Sequence, residues 1–175
     1  RTGKMPDKPV ALKTIVTTEM APKVAEVNGL QCYDTFTGFK FLAEKKDQLE
    51  SSGEGNVIMS YEESFGYMLG SFVRDKDAVT ASVALTEMAA WYAGQGMTLY
   101  DALQGLYEKY GHFGERTMNL VMPGLDGLKK MAQLMADLRA NPPKEVGGTA
   151  VAQWKDYKDG SVVDAATGDR TTMEL

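Results

Sequence analysis

The chain is poor in the residues on which several kinds of chemistry depend. It has one cysteine, Cys32, and one histidine, His112. A single thiol excludes an internal disulfide and suits a reducing compartment, so a cytoplasmic location is expected. One cysteine, one histidine and no dense aspartate repeat leave no zinc, iron or EF-hand pattern. Walker-type and dinucleotide-type glycine loops are missing as well. No stretch approaches the ~18 apolar residues of a membrane span. The first residues, Arg1-Thr2-Gly3-Lys4-Met5-Pro6, lack the apolar centre of a signal peptide. No strongly basic run exists and the formal net charge is -5, so nucleic acid is not an expected partner. Met5 is not the first residue, and Thr171 to Leu175 carries no cap or stop signal. The chain therefore reads as a piece of a longer one.

What is present suits a folded protein. The 175 residues allow one ordinary domain, or a domain plus part of a second. A hydrophobic fraction of 43% supplies a core, and 25% charged residues suits a protein surrounded by water. Val10 to Thr17 is β-branched and apolar with little alternation, the pattern of a strand covered on both faces. A short helix over Glu19 to Val27 follows, capped by Thr17 or Thr18 and closed by Asn28-Gly29. Leu30 to Tyr33 reads as a second strand. Gly38 to Ser52 reads as a second helix with Phe41, Leu42, Lys45 and Leu49 on one stripe, and Val57 to Met59 as a third strand. This β-α-β-α-β alternation predicts a three-layer α/β/α fold with a mainly parallel sheet. Asp77 to Tyr92 reads as a longer helix with Ala81, Leu85, Met88 and Tyr92 buried. Thr98 and Asp101 form a capping box for the next helix, whose apolar face runs through Leu99, Ala102, Leu103, Leu106 and Tyr110.

The pattern restarts after His112-Phe113, which reads as a linker. Glu115 to Met122 alternates like a strand, with Met118, Leu120 and Met122 on one face. Leu125 to Leu138 has helical spacing, ending near Asn141-Pro142-Pro143. Thr149 to Tyr157 reads as a strand, and Lys158 to Thr172 as a loop or hairpin. This block is a partial α+β segment, too small to bury much surface alone.

In parallel sheets flanked by helices, ligands sit beyond the carboxyl ends of the strands. Three segments reach that edge: Thr17-Thr18-Glu19, Asp34 to Lys40, and Ser60 to Gly66. In the last, an apolar run stops at Glu62, Glu63, Ser64 and Gly66. Adjacent carboxylates resist desolvation. They read either as a solvated turn or as acceptors for the vicinal hydroxyls of a polyol. Thr37 is placed to cap the second helix, and Gly38 admits a ligand close to the backbone. Lys40 stands in the first turn against the helix dipole, either as a surface lysine or beside a bound anion such as phosphate. Arg74-Asp75-Lys76-Asp77 reads as a solvated cap, or as cations that bind phosphate or polarise a sugar oxygen.

Together, Thr37-Gly38-Phe39-Lys40-Phe41, Glu62-Glu63-Ser64-Phe65-Gly66 and Arg74-Asp75-Lys76-Asp77 resemble three consecutive motifs of the α-D-phosphohexomutase superfamily, in order and spacing. The phosphoglucomutase branch is the most similar, because some relatives, phosphomannomutases in particular, have histidine where Phe39 stands. The resemblance implies that residues 1–113 are the third domain of a four-domain enzyme and residues 114–175 the N-terminal part of its C-terminal domain. It implies interconversion of hexose 1-phosphate and 6-phosphate through a bisphosphorylated sugar. Glu62 and Ser64 are then implied to grip sugar hydroxyls, with Glu63 a further substrate-binding residue. Thr37, Gly38, Phe39 and Lys40 are implied to line the sugar site, with Arg74 a further contact. Lys76 is implied to contact substrate and to transfer a proton or stabilise phosphoryl charge. The phosphoserine loop, the Mg²⁺ loop and the final phosphate-binding loop of such enzymes have no counterpart in these residues. Hexose phosphate and the remaining domains are thus the implied partners, with Mg²⁺ held outside this chain. Phosphomannomutase, phosphopentomutase, sugar-bisphosphate synthase and a non-catalytic sugar-phosphate-binding module are the alternatives.

Overall fold

The computed structural model describes residues 5–70 and 72–173, which form two compact units divided between Thr117 and Met118. In the first, strands β1 (Pro9–Thr14), β2 (Gln31–Thr35), β3 (Asn56–Glu62) and β4 (Gly66–Met68) are joined through helices α1 (Met20–Val27) and α2 (Phe39–Ser52). Helices α3 (Ala78–Ala93) and α4 (Leu99–Tyr110) follow. The sheet order is β2-β1-β3-β4, with only β4 antiparallel to its neighbour. The chain steps from β1 to β2 in one direction, then back across β1 to β3. Right-handed crossovers therefore put α1 and α2 on opposite faces, which gives the α/β/α layering.

The core lies between α2 and the sheet. Val10 and Leu12 of β1, Val57 of β3 and Met68 of β4 meet Phe39, Leu42 and Leu49 of α2. Because side chains alternate along a strand, Val10, Leu12 and Thr14 share that face while Lys13 turns to the other. The buried stripe of α2 runs through Phe39, Leu42, Lys46 and Leu49. Phe41 and Lys45, expected on it, lie on the outer flank: Phe41 meets Phe36 edge to face at 5.8 Å, and Lys45 stands 5.2 Å from the Tyr33 ring. Lys46 takes the inner place because its ammonium is satisfied there, by Glu50 Oε1 at 2.5 Å and the Val57 carbonyl at 3.2 Å.

Two further elements differ from expectation. Strand β3 continues past Met59 to Glu62 and turns back through β4. Helix α3 buries only Ala81; Leu85 and Met88 are exposed. Its sheet neighbour is β4, and three strand residues span ~10 Å against ~24 Å for sixteen helical ones. In α4 the Thr98–Asp101 capping box is formed, and Ala102 is the residue of the expected apolar face that is buried.

The second unit holds α5 (Gly124–Ala140), a two-stranded sheet of β5 (Glu145–Val146) and β6 (Thr149–Ala150), and a meander of β7 (Gln153–Asp156), β8 (Ser161–Asp164) and β9 (Arg170–Thr172). The strand expected over Glu115 to Met122 is irregular chain, since no neighbouring strand pairs with it among the described residues. The strand expected over Thr149 to Tyr157 is divided at Val151-Ala152 between the two sheets. Among the described residues of this unit only Gly127 and Ser161 are buried. Among the described residues, no helix is long and apolar enough to cross a membrane.

Candidate functional site

The site is built on the hairpin that ends β3. Glu62 pairs with Gly66, so Glu63, Ser64 and Phe65 form a three-residue turn. Such turns place a residue in the left-handed region. Here it is Phe65, with φ 63 and 87% of its surface exposed. A non-glycine residue there carries a backbone penalty of about 1–2 kcal/mol. Ser64 is exposed beside it, and Glu62 is half-buried. A Cβ added at Gly66 would overlap the Phe39 ring and stand 2.7 Å from Glu62 Oε1. The glycine thus lets the Glu62 carboxylate and the Phe39 ring close over the backbone of β4.

Phe39 is the centre of this group. Its ring is 5% exposed and belongs to the core, so it forms the floor of the site. Lys76 Nζ lies 5.4 Å from the ring centroid, a cation–π approach. The backbone holds Lys76 there: Asp77 N–H donates to the Tyr67 carbonyl of β4 at 2.8 Å. Asp77 then caps α3, accepting from Val79 N–H at 3.0 Å and Thr80 N–H at 3.4 Å. The Thr80 hydroxyl and these amides hold its carboxyl below the usual range. Thus Glu62, Gly66, Phe39 and Lys76 converge.

The other expected residues are arranged around that group. Gly38 adopts φ 109 at the start of α2, and no side chain caps the helix; Thr37, expected as the cap, is exposed. Lys40 is exposed in the first turn. Arg74 pairs with Asp47, two turns along α2, and is not drawn to Phe39. Glu63 turns inward to Thr14, whose hydroxyl donates to Glu63 Oε2 at 2.8 Å. His112 stacks on Tyr107 at 4.4 Å.

One contributor escaped the sequence reading. Lys13 is fully buried, yet its ammonium meets Asp34 Oδ1 at 2.8 Å, Glu19 Oε1 at 3.1 Å and the Thr17 carbonyl at 3.1 Å. It ties the loop after β1 to the end of β2, directly beneath the carboxyl edge. Burial opposes its charge, but Asp34 and then Glu19 outweigh that and leave its pKa raised. The legible signal was a lone lysine within a strand read as covered on both faces. On the same face, burial pushes the Cys32 thiol up to about 11, with Lys13 opposing. Burial, then Cys32, Asp34 and Tyr67, raises the Tyr61 phenol.

Residues 1–110 match the family described as phosphoglucomutase/phosphomannomutase, alpha/beta/alpha domain III. The chain belongs to this family. The match ends on the last residue of α4, so the domain III region holds the whole sheet and the hairpin site. The phosphoglucomutase of Staphylococcus aureus strain bovine RF122 / ET3-1 is 35% identical over 146 residues, which is 83% of this chain and 26% of that protein. The phosphoglucomutase of strain MSSA476 is 34% identical over the same span. The crystal structure of the exocytosis-sensitive phosphoprotein pp63/parafusin, a phosphoglucomutase from Paramecium in its open form, is similar in fold. Its TM-score is 0.57 at 19% identity, covering 93% of this chain and 27% of that one. This domain III chain spans about a quarter of the length of the curated relatives it matches. Among its described residues, no group of three or more His, Cys, Asp or Glu side chains could hold a metal ion.

Proposed function

We propose that this chain is the sugar-recognition portion of a cytoplasmic phosphoglucomutase-type enzyme that interconverts hexose 1-phosphate and 6-phosphate through a bisphosphorylated sugar. The observation that carries the reading is the convergence of Glu62 and Lys76 on Phe39 at the carboxyl edge of the sheet. The Glu62 carboxylate presents two acceptor oxygens to adjacent sugar hydroxyls, which only donate to it. The Ser64 hydroxyl, in the same turn, adds a second contact that can donate or accept. Lys76 supplies positive charge beside the sugar, suited to a phosphoryl or developing alkoxide oxygen. Thr37, Gly38 and Lys40 at the uncapped start of α2 add N–H groups and a cation for a phosphate. Glucose is favoured over mannose by Phe39 and by relatives named phosphoglucomutase.

Phosphoryl transfer and the Mg²⁺ that assists it are assigned to residues outside this chain. The 175 residues alone are therefore expected to show no turnover of glucose 1-phosphate in a coupled assay. In the full-length enzyme, Glu62→Ala is expected to raise the barrier by about 2–4 kcal/mol, the cost of leaving buried hydroxyls unpaired. That lowers kcat/KM by roughly 30- to 900-fold. A variant with unchanged kcat/KM would remove Glu62 from the site.

A further inference from the structure

We propose that Glu63 is a positioning residue, latched through Thr14 and Thr17, that sets where the β3–β4 hairpin holds Glu62 and Ser64. Its functional half rests on the sugar-grip reading above. Glu62 and Glu63 are neighbours in sequence, but their carboxylates have separate fates. Glu62 lies over Gly66 beside Phe39. Glu63 reaches back to the loop after β1, where Thr14 Oγ1 is 2.8 Å and Thr17 Oγ1 3.5 Å from its Oε2. The two hydroxyls are themselves 2.7 Å apart. Both threonines are buried, and Thr14 is fully so.

Proton bookkeeping fixes the direction of this chain. An ionised carboxylate only accepts, and a threonine hydroxyl has a single proton. Thr14 therefore donates to Glu63 and accepts from Thr17. The chain Thr17 to Thr14 to Glu63 ends on a charge, and each donor polarises the next. It joins the ends of β1 and β3, where the strand order reverses direction. The β1–β3 ladder ends at Lys13 and Tyr61, so beyond it these side chains tie the turn to the loop after β1. The turn needs holding, because Phe65 occupies the left-handed region without being glycine. A carboxylate committed in this way is not available to a ligand, which leaves Glu62 and Ser64 as the residues of the turn that face the sugar.

Loss of the latch lowers the fraction of molecules whose hairpin is ready to bind. Apparent affinity falls by that fraction, while chemistry after binding is preserved. The test uses the full-length enzyme to which we assign the chain, with Glu63→Ala, Thr14→Val and Glu63→Gln, glucose 1-phosphate as substrate, and hydrogen exchange over Ser60 to Met68. Glu63→Ala and Thr14→Val are expected to raise KM by about tenfold with kcat within about twofold, and to speed hairpin exchange. Glu63→Gln keeps an acceptor oxygen for Thr14 and is expected to restore both readouts to within about threefold. Glu63 lies in an exposed turn, so its variants remain informative if Thr14→Val does not fold. A fall in kcat with hairpin exchange unchanged would overturn the latch and place Glu63 on the substrate. Faster exchange in all latch-breaking variants with KM unmoved would keep the latch and overturn the sugar-grip reading instead.

Discussion

Gly66 shows how little room the site has. An alanine there would push its Cβ into the Phe39 ring and to within 2.7 Å of Glu62 Oε1. Gly66→Ala is expected to destabilise the first unit by about 1–3 kcal/mol, measured by urea unfolding, because both neighbours must give way. Lys13 makes a different demand. Its folded pKa is raised, so its contribution to stability is fully present below the ordinary lysine value of 10.5. It is lost as pH rises through the folded value. Stability should therefore drop on the alkaline side of pH 10.5, a fall that Lys13→Met should flatten in a pH series of urea melts. The same substitution is expected to cost about 3 kcal/mol at neutral pH, because it leaves Asp34 without its buried partner. Cys32 reports on the same pocket. With its thiol moved from 9.0 to about 11, iodoacetamide should label it roughly 100-fold more slowly at pH 8 in the folded protein than in urea.

Helix ends divide the elements into two kinds. At α4, Thr98 Oγ1 accepts from Asp101 N–H at 3.1 Å while Asp101 Oδ2 accepts from Thr98 N–H at 2.8 Å. Thr98→Ala is expected to cost about 1 kcal/mol by thermal or chemical melting. That box, the first three strands and the helices between them were legible because their signals are local: caps, periodicity and glycine stops. Strand β4 was not, since Gly66-Tyr67-Met68 is too short for periodicity and exists through its pairing with β3. The alternation of Glu115 to Met122 misled for the converse reason, a strand pattern without a partner strand. In the site, the turn at Glu62 and the cation at Lys76 could be read from charge placed at element ends. Lys13, Thr14 and Thr17 could not, because a polar side chain in an apolar strand shows its role only once Asp34, Glu19 and Glu63 are brought to it.

At the scale of the molecule, stability is unevenly shared. The first unit has a core of seven buried apolar residues in one cluster, whereas no described apolar side chain of the second unit is buried. Amide exchange should therefore be slowest in β1 and β3, and faster throughout Met118 to Met173. A second-unit amide as well protected as Leu12 would contradict that ranking. The central strand that anchors the first unit also guards its own alignment. Lys13 and Thr14 are adjacent and serve opposite faces. A slip of one residue would drive the ammonium into the apolar layer of Val10 and Leu12's neighbours and carry a methyl-bearing hydroxyl to Asp34. Misregistered sheets are thereby penalised by an unpaired charge on each side. The lysine that looks least at home in the core works as a proofreading mark for how the sheet is assembled.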